Sequence, residues 1–159
     1  MKKLLVIIVG IIACSSGKSQ SINEIVGIWQ LSSPEIGSAY LDTYQFFPNG
    51  LFVFHVNEYD ELKQIVSIKG KYVVYQDSIK LAPISMVTYN GSKLDRSKST
   101  SVHDSWSLSG NLIKNEIFLE EQPTFIAKLV FHKQQDGKLS ILIDGLEYYL
   151  LTKDPNDYK

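Results

Sequence analysis

Short segments in which apolar and polar residues alternate follow one another along most of this chain, and a turn pair ends nearly every one. Alternation with a period of two is the pattern of a β-strand that buries one face. Pairs such as Asn-Gly and Asp-Gly favour tight hairpins between such strands. The pattern predicts strands at 26–32, 39–47, 51–58, 65–75, 78–83, 101–108, 115–120, 124–133, 138–143 and 146–153.

Strands joined mainly by tight turns predict an all-β chain. The expected architecture is a single antiparallel up-and-down meander closed into a barrel of eight to ten strands. Ahead of the first strand, Ser21-Ile22-Asn23-Glu24 fits a capping box and predicts one short helical turn. Residues 84–100 lack a strand pattern, so they are predicted to form the longest loop, a lid over any barrel mouth.

The turn residues also predict which strand positions face each other. Asp144-Gly145 fits a two-residue type I′ loop, whereas Pro48-Asn49-Gly50 fits a three-residue loop with glycine in the left-handed region. The predicted cross-strand pairs are Phe46 with Phe52, Tyr44 with Phe54, Val74 with Ile79, Tyr72 with Leu81, Phe131 with Ile141, Leu129 with Ile143, Ile143 with Leu146, Ile141 with Tyr148 and Leu139 with Leu150. One apolar face therefore runs through the hairpins, as a sheet curled around one core requires.

Aromatic residues dominate this predicted inner face. Two interpretations of the rings stay open: they pack a solid core, or they line a cup for a small hydrophobic ligand, with tyrosine hydroxyls as its polar groups. The candidate lining residues are Tyr44, Phe46, Phe52, Phe54, Tyr72, Trp106 and Tyr148.

Four stretches follow in order along the chain: GIWQL, YQFFPNGLFVF, GKYVVYQDSIKL and LEYYLLTK. A short helical turn followed by G-x-W, and this succession of motifs, resembles the small lipocalin-like (calycin-type) lipoproteins of Bacteroidetes-type bacteria. The resemblance implies a lipocalin-like barrel over residues 25–153, with 154–159 as a C-terminal tail. It also implies that Gly27 and Trp29 form the barrel base and that the opposite mouth admits a small apolar ligand. Two departures are that Lys153 stands where the family usually has an arginine and that the T-D-Y loop motif is missing.

The N-terminus has the pattern of an export signal. Lys2 and Lys3 precede an apolar stretch that is too short to span a membrane. It ends in Ile11-Ile12-Ala13-Cys14, which resembles the bacterial lipobox. The expectation is a signal peptide at 1–13, a lipid-anchored tether and helical turn at 14–24, and a place in the bacterial envelope, at the outer membrane facing the periplasm. The alternative is a secreted soluble protein cleaved near Ser19 or Gln20.

Charge and composition narrow the function classes. The formal net charge is −1, and basic and acidic residues are interspersed, which argues against a nucleic-acid partner. Cys14 is the only cysteine, so no intramolecular disulfide can form. Ser101, His103 and Asp104 are neighbours on one predicted strand, which is not how a catalytic triad is assembled. His55 and His132 are predicted to face outward. We therefore expect no enzyme, metal site or cofactor, and a monomer.

Two functions remain for a chain of this kind. The first is an envelope lipoprotein whose barrel binds a small hydrophobic ligand. The alternative is a non-enzymatic accessory lipoprotein whose barrel is filled by side chains and whose outer surface, with Phe47, Leu51, Val53 and Tyr149, docks an envelope partner. A cavity of a few hundred cubic ångströms inside the barrel would favour the first.

Overall fold

A computed structural model of the protein describes residues 22–91, 93–97 and 105–158. Within these ranges the chain begins with a short helical turn, α1 (Ile22–Ile25), and ends with a 3₁₀ turn at Pro155–Asp157. The strands are β1 (Gly27–Leu31), β2 (Thr43–Phe46), β3 (Leu51–His55), β4 (Ile65–Val74), β5 (Ser78–Asn90), β6 (Lys93–Ser97), β7 (Ser105–Ser109), β8 (Ile113–Phe118), β9 (Phe125–Lys133), β10 (Leu139–Ile143) and β11 (Leu146–Thr152). None of the helical segments in these ranges is long and apolar enough to cross a membrane.

Eight of the strands close into an antiparallel barrel. β1 to β5 form a meander in chain order, β9 to β11 continue it, and β11 pairs with β1. β9 pairs with the first residues of β5, whereas β8 pairs with residues 85–90 of β5 beyond the start of β9. β8 is thus an extra strand at the barrel rim. The predicted all-β up-and-down barrel with a helical turn before its first strand is confirmed.

The hairpin registers predicted from the turns are confirmed at all but one of the predicted cross-strand pairs. The exception is Leu139 with Leu150, because the β10–β11 pairing ends one step earlier, at Ser140 opposite Tyr149. Asp144 and Gly145 have φ values of 51° and 82°. Both central residues of a type I′ turn need a positive φ, so this turn has the predicted type.

The prediction of a loop over 84–100 is wrong for most of its length. β5 continues to Asn90, and β6 follows a short turn. Two features of the β5 sequence explain why its second half was not predicted to be a strand. Its later buried positions are the polar Ser85 and Thr88, and Pro83 interrupts a segment in which proline is normally excluded. Pro83 is tolerated because it lies opposite Gly70, beside a register shift between β4 and β5.

The strand predicted at 101–108 is not part of the barrel wall. β7 pairs with β6 in a separate two-stranded sheet. Trp106 therefore lies outside the sheet that forms the barrel, which corrects its assignment as a barrel-lining residue. Its alternating neighbours do indicate a strand, but alternation does not specify the partner strand. Ser101, His103 and Asp104 lie outside the described residues.

Trp29 is the centre of the closed end of the barrel. Its side chain is 1% exposed, and its Nε1 donates a hydrogen bond to the carbonyl oxygen of Ile25 at 2.6 Å, which ties α1 to the barrel. The ring of Phe131 meets it edge-on at 6.5 Å between centroids. The Nζ of Lys153 lies 5.4 Å from the Trp29 ring and donates to the carbonyl oxygen of Glu24. The ammonium group of Lys153 thus lies over the Trp29 ring in a cation–π contact.

The predicted C-terminal tail is folded against the outside of the barrel. Pro155 is buried, and its carbonyl oxygen accepts a hydrogen bond from Gln45 Nε2 at 2.6 Å. The Tyr158 ring stacks on Tyr40 at 4.5 Å and on His55 at 3.8 Å. His55 does lie on the outer face of β3, as predicted, but the tail covers it. Burial lowers the pKa of His55 to about 4, so the stacked ring is neutral near pH 7.

Candidate functional site

The inside of the barrel is hollow at the end where β10 turns into β11. A partly open cavity of about 300 Å³ lies there. Strands β2, β3, β4, β5, β9, β10 and β11 all contribute to its wall, because the inward positions near this end converge on it. Its lining residues are Tyr44, Phe52, Phe54, Ile68, Leu81, Pro83, Phe125, Ala127, Ile143, Asp144, Leu146 and Tyr148.

Aromatic rings form one side of this cavity, and Tyr44 is at their centre. The Tyr44 ring lies 4.7 Å from that of Phe54 and 5.3 Å from that of Tyr148, with interplanar angles of 51° and 64°. Phe52 lies 6.2 Å away, also tilted. Tilted rings present both faces and edges to the space between them. The cavity wall is therefore apolar but offers negatively polarised ring faces.

Two tyrosine hydroxyls belong to this wall. Burial, with smaller contributions from the charges of Asp42 and Asp144, raises the pKa of Tyr44 to about 12. Burial also raises the pKa of Tyr148, with smaller contributions from Tyr44 and Asp42. Both phenols are therefore neutral at physiological pH, where each can donate or accept a hydrogen bond. No hydrogen bond joins either hydroxyl to another of the described residues.

Asp144 is the one acidic side chain among the described residues that line the cavity. It occupies the first position of the β10–β11 turn, and its Oδ1 accepts a hydrogen bond from the backbone nitrogen of Lys128 at 3.0 Å. The Lys128 side chain is exposed and lies between the buried Ala127 and Leu129, so it points away from the barrel interior. The carboxylate is thus held at the mouth, and no lysine, arginine or histidine stands among the described residues that line the cavity with it.

The core at the other end of the barrel is packed, and a second, partly open cavity of about 280 Å³ opens beside Trp29, Phe131 and Lys153. The core there consists of side chains that are at most 1% exposed, namely Trp29, Phe46, Ile79, Leu129, Ile141 and Ile25. Phe46 stacks on Tyr44 at 5.2 Å and separates the cavity from the base. The two interpretations of the inner face therefore apply at different depths: the base is a solid core and the mouth is hollow.

The structure brings four of the predicted lining residues together at the cavity: Tyr44, Phe52, Phe54 and Tyr148. It does not bring Phe46 and Tyr72 there. Phe46 and Tyr72 lie in the packed core, where the Tyr72 hydroxyl donates to the carbonyl oxygen of Phe47 at 2.8 Å. Trp106 belongs to the β6–β7 sheet. Gly27 and Trp29 lie at the closed end.

Sequence reasoning did not single out the remaining wall residues, although the signal for some of them was present. Phe125, Ala127, Leu129 and Phe131 alternate along one predicted strand, and the first two line the cavity. Ile143 and Leu146 flank the predicted Asp144-Gly145 turn on the apolar face. Asp144 itself was assigned only to the turn. Its place at the mouth depends on which barrel end stays open, which the hairpin pattern does not specify.

Comparison of the chain with protein-family models, with curated proteins and with solved structures found no match.

Proposed function

We propose that this protein is a non-enzymatic binding protein that holds a small hydrophobic ligand in the mouth of its barrel. The observation that carries the proposal is the cavity of about 300 Å³ lined by Tyr44, Phe54 and Tyr148. Ligand sites are concave, mainly apolar and furnished with a few polar groups. This cavity has apolar walls, two phenol hydroxyls and one carboxylate, which fits that description.

Binding of a neutral fluorescent probe tests this proposal. N-phenylnaphthylamine should bind the native protein with enhanced emission, because its uncharged rings fit an apolar wall. Phe54→Trp adds volume to the cavity, so we expect the probe to bind about tenfold more weakly or worse, a loss of about 1.4 kcal/mol. Phe54 is only half-buried, and the added ring has the cavity to enter, so the free energy of unfolding should change by less than about 1 kcal/mol.

Phe118→Trp is the matched control. Phe118 is 70% exposed on β8 and does not line the cavity, so the same substitution there should leave probe affinity unchanged. Absence of probe binding to the native protein would contradict the proposal. Equal weakening by both substitutions would show that the probe binds on the exposed strand and not in the barrel.

We further propose that the protein is a lipoprotein of the bacterial envelope, anchored through an acylated Cys14. The support is the Ile11-Ile12-Ala13-Cys14 motif at the end of an apolar stretch and the resemblance to lipocalin-like lipoproteins. Lys153 over the Trp29 ring agrees with that resemblance, since the family places a basic residue there. Residues 1–21 lie outside the described ranges.

Cys14→Ser tests the anchor. Dual acyl chains hold a protein stably at a membrane, because each buried methylene contributes about 0.8 kcal/mol. The variant should therefore move from the membrane fraction to the soluble envelope fraction on centrifugation of lysed cells. Cys14→Ala should behave in the same way. Retention of both variants in the membrane fraction would contradict lipidation at this residue.

A second candidate function, docking of an envelope partner, has one observation in its favour. All six residues of β8 are exposed, and β8 is an end strand of the large sheet. Ile113, Ile117 and Phe118 expose 59%, 41% and 70% of their surfaces, and Ile126 of β9 exposes 70%. The docking surface predicted from sequence differs, since Val53, Phe47 and Tyr149 are only partly exposed. The Phe118→Trp control therefore also changes the surface on which this function would depend.

A further inference from the structure

The described residues that line the barrel cavity include an acidic side chain and no basic one. Of the described residues that line it, Asp144 is a carboxylate and none is a lysine, arginine or histidine. No ion pair joins Asp144 to another described residue. Its Oδ1 accepts a backbone hydrogen bond from Lys128, which fixes the carboxylate at the rim without neutralising it. A ligand that enters the barrel therefore passes this carboxylate, and none of the described lining residues carries a compensating positive charge.

The ring wall adds to this asymmetry of charge. On one side of the cavity, the ring centroids of Phe54 and Tyr148 lie 4.7 and 5.3 Å from that of Tyr44. The faces of aromatic rings attract cations, and the attraction grows when the cation is shielded from water. The same faces repel an anion. The ring wall and the carboxylate thus both favour a positively charged ligand.

On this basis, and resting on the proposed ligand-binding function, we infer that the cavity selects a small amine, a ligand with an apolar or aromatic body and a cationic head that faces Asp144 and the ring faces of Tyr44 and Tyr148. The cavity volume of about 300 Å³ is at the low end of the range of ligand pockets, which favours a body of one or two fused rings. The neutral phenols are available to accept hydrogen bonds from an ammonium group. A carboxylic acid of equal size would place its charge against Asp144.

The electrostatics of the buried phenols support this assignment. After burial, Asp42 and Asp144 are the causes that raise the pKa of Tyr44. Asp42 Oδ1 accepts a hydrogen bond from the Asn57 nitrogen at 2.7 Å, just outside the ring wall. Asp42, which precedes β2, and Asp144, in the β10–β11 turn, thus both contribute negative charge at Tyr44.

A pair of probes that differ only in charge tests the inference. Tryptamine and indolepropionate share the indole ring and the linker, and end in an ammonium and a carboxylate. We expect the native protein to bind tryptamine at least about tenfold more tightly in calorimetric titration, since a single charge pair in partly shielded surroundings has an effect of this order. Asp144→Asn should reduce that preference to within about threefold.

Asp144→Asn is a conservative variant, because Asn-Gly is a preferred type I′ pair and the Asn oxygen can still accept from Lys128. Asp136→Asn is its matched control. Asp136 is an exposed carboxylate in the β9–β10 turn at the opposite end of the barrel, where it accepts from the Lys138 nitrogen at 3.0 Å. The Asp136→Asn variant also removes one carboxylate from an Asp-Gly turn, where Asp136 Oδ2 lies 3.5 Å from Lys138 Nζ. Because this carboxylate is far from the cavity, the native preference should be retained.

The outcomes separate this inference from the proposed function. Failure of the native protein to bind N-phenylnaphthylamine would overturn the proposed binding function itself. Binding of the neutral probe with equal affinity for the two indoles, or with no measurable affinity for either, would overturn only the amine selectivity. A preference for tryptamine that Asp136→Asn removes as completely as Asp144→Asn would also overturn it, since it would reflect net charge alone. The comparison of tryptamine with indolepropionate on the native protein does not depend on the stability of either variant.

Discussion

Trp29→Ala is expected to lower the free energy of unfolding by about 3 to 5 kcal/mol, the usual cost of removing a large buried aromatic side chain. The indole is 1% exposed and contacts Phe131 and Lys153 from two sides. Its loss also leaves the Ile25 carbonyl oxygen without its donor and weakens the attachment of α1 to the barrel base. Chemical denaturation followed by circular dichroism measures the change, and it is a large share of the roughly 5 to 15 kcal/mol that stabilise a typical domain.

Two further variants identify the cause of the Trp29 effect. Trp29→Phe keeps most of the apolar volume but removes the Nε1 donor, so about 1 to 3 kcal/mol should be lost. Tyr75→Ala removes an aromatic ring that is 51% exposed and should change stability by less than about 1 kcal/mol. A loss below about 1 kcal/mol for Trp29→Ala would contradict the role of this residue at the barrel base.

Gly27→Ala is expected to cost about 2 to 4 kcal/mol, because it combines backbone strain with a steric clash. Gly27 has a φ of +138°, a conformation that L side chains rarely adopt. A Cβ there would lie 2.5 Å from the carbonyl oxygen of Thr152 and 3.0 Å from Leu150 Cδ1. The clash lies between β1 and β11, so a backbone shift that relieved it would disturb the strand pairing that closes the barrel. Denaturation of the purified variant measures this loss.

Gly137→Ala is the matched control for Gly27→Ala. Gly137 also has a positive φ, +87°, but a Cβ there meets no atom within 4 Å. Strain without a clash should cost only about 1 to 2 kcal/mol. If both alanine variants lost the same stability, the close approach between β1 and β11 would not be the reason for glycine at position 27.

The hairpins could be predicted from sequence because their information is local. Asp144-Gly145 and Pro48-Asn49-Gly50 select turn types, and a turn type fixes the register of its two strands. The rest of the fold depends on contacts that no local pattern specifies. In β5, the polar Ser85 is buried and a register shift follows Pro83, so the alternation breaks although the strand continues. The outer face of β3 became a packed surface only because the chain end, with Tyr158, returns to cover His55.

Only part of the candidate site could be predicted from the sequence, for a related reason. Alternation placed Tyr44 and Phe54 on the inner face, and both line the cavity. It did not distinguish them from Phe46, which is on the same face two residues along but lies in the solid core. Depth along a barrel depends on strand tilt and on which end is plugged. These are properties of the closed sheet and not of any single strand.

The pairing of β1 with β11 joins the two ends of the barrel chain, from Gly27 to Thr152. A nascent chain that has not yet produced β11 therefore cannot close the barrel, and both β1 and β10 then keep free edges. Free strand edges are templates for intermolecular pairing. Contacts between such distant residues also form slowly, since a long loop must close before they give any stability. For this protein, the hazardous period for aggregation lasts until the final strand has been synthesised and has paired with the first.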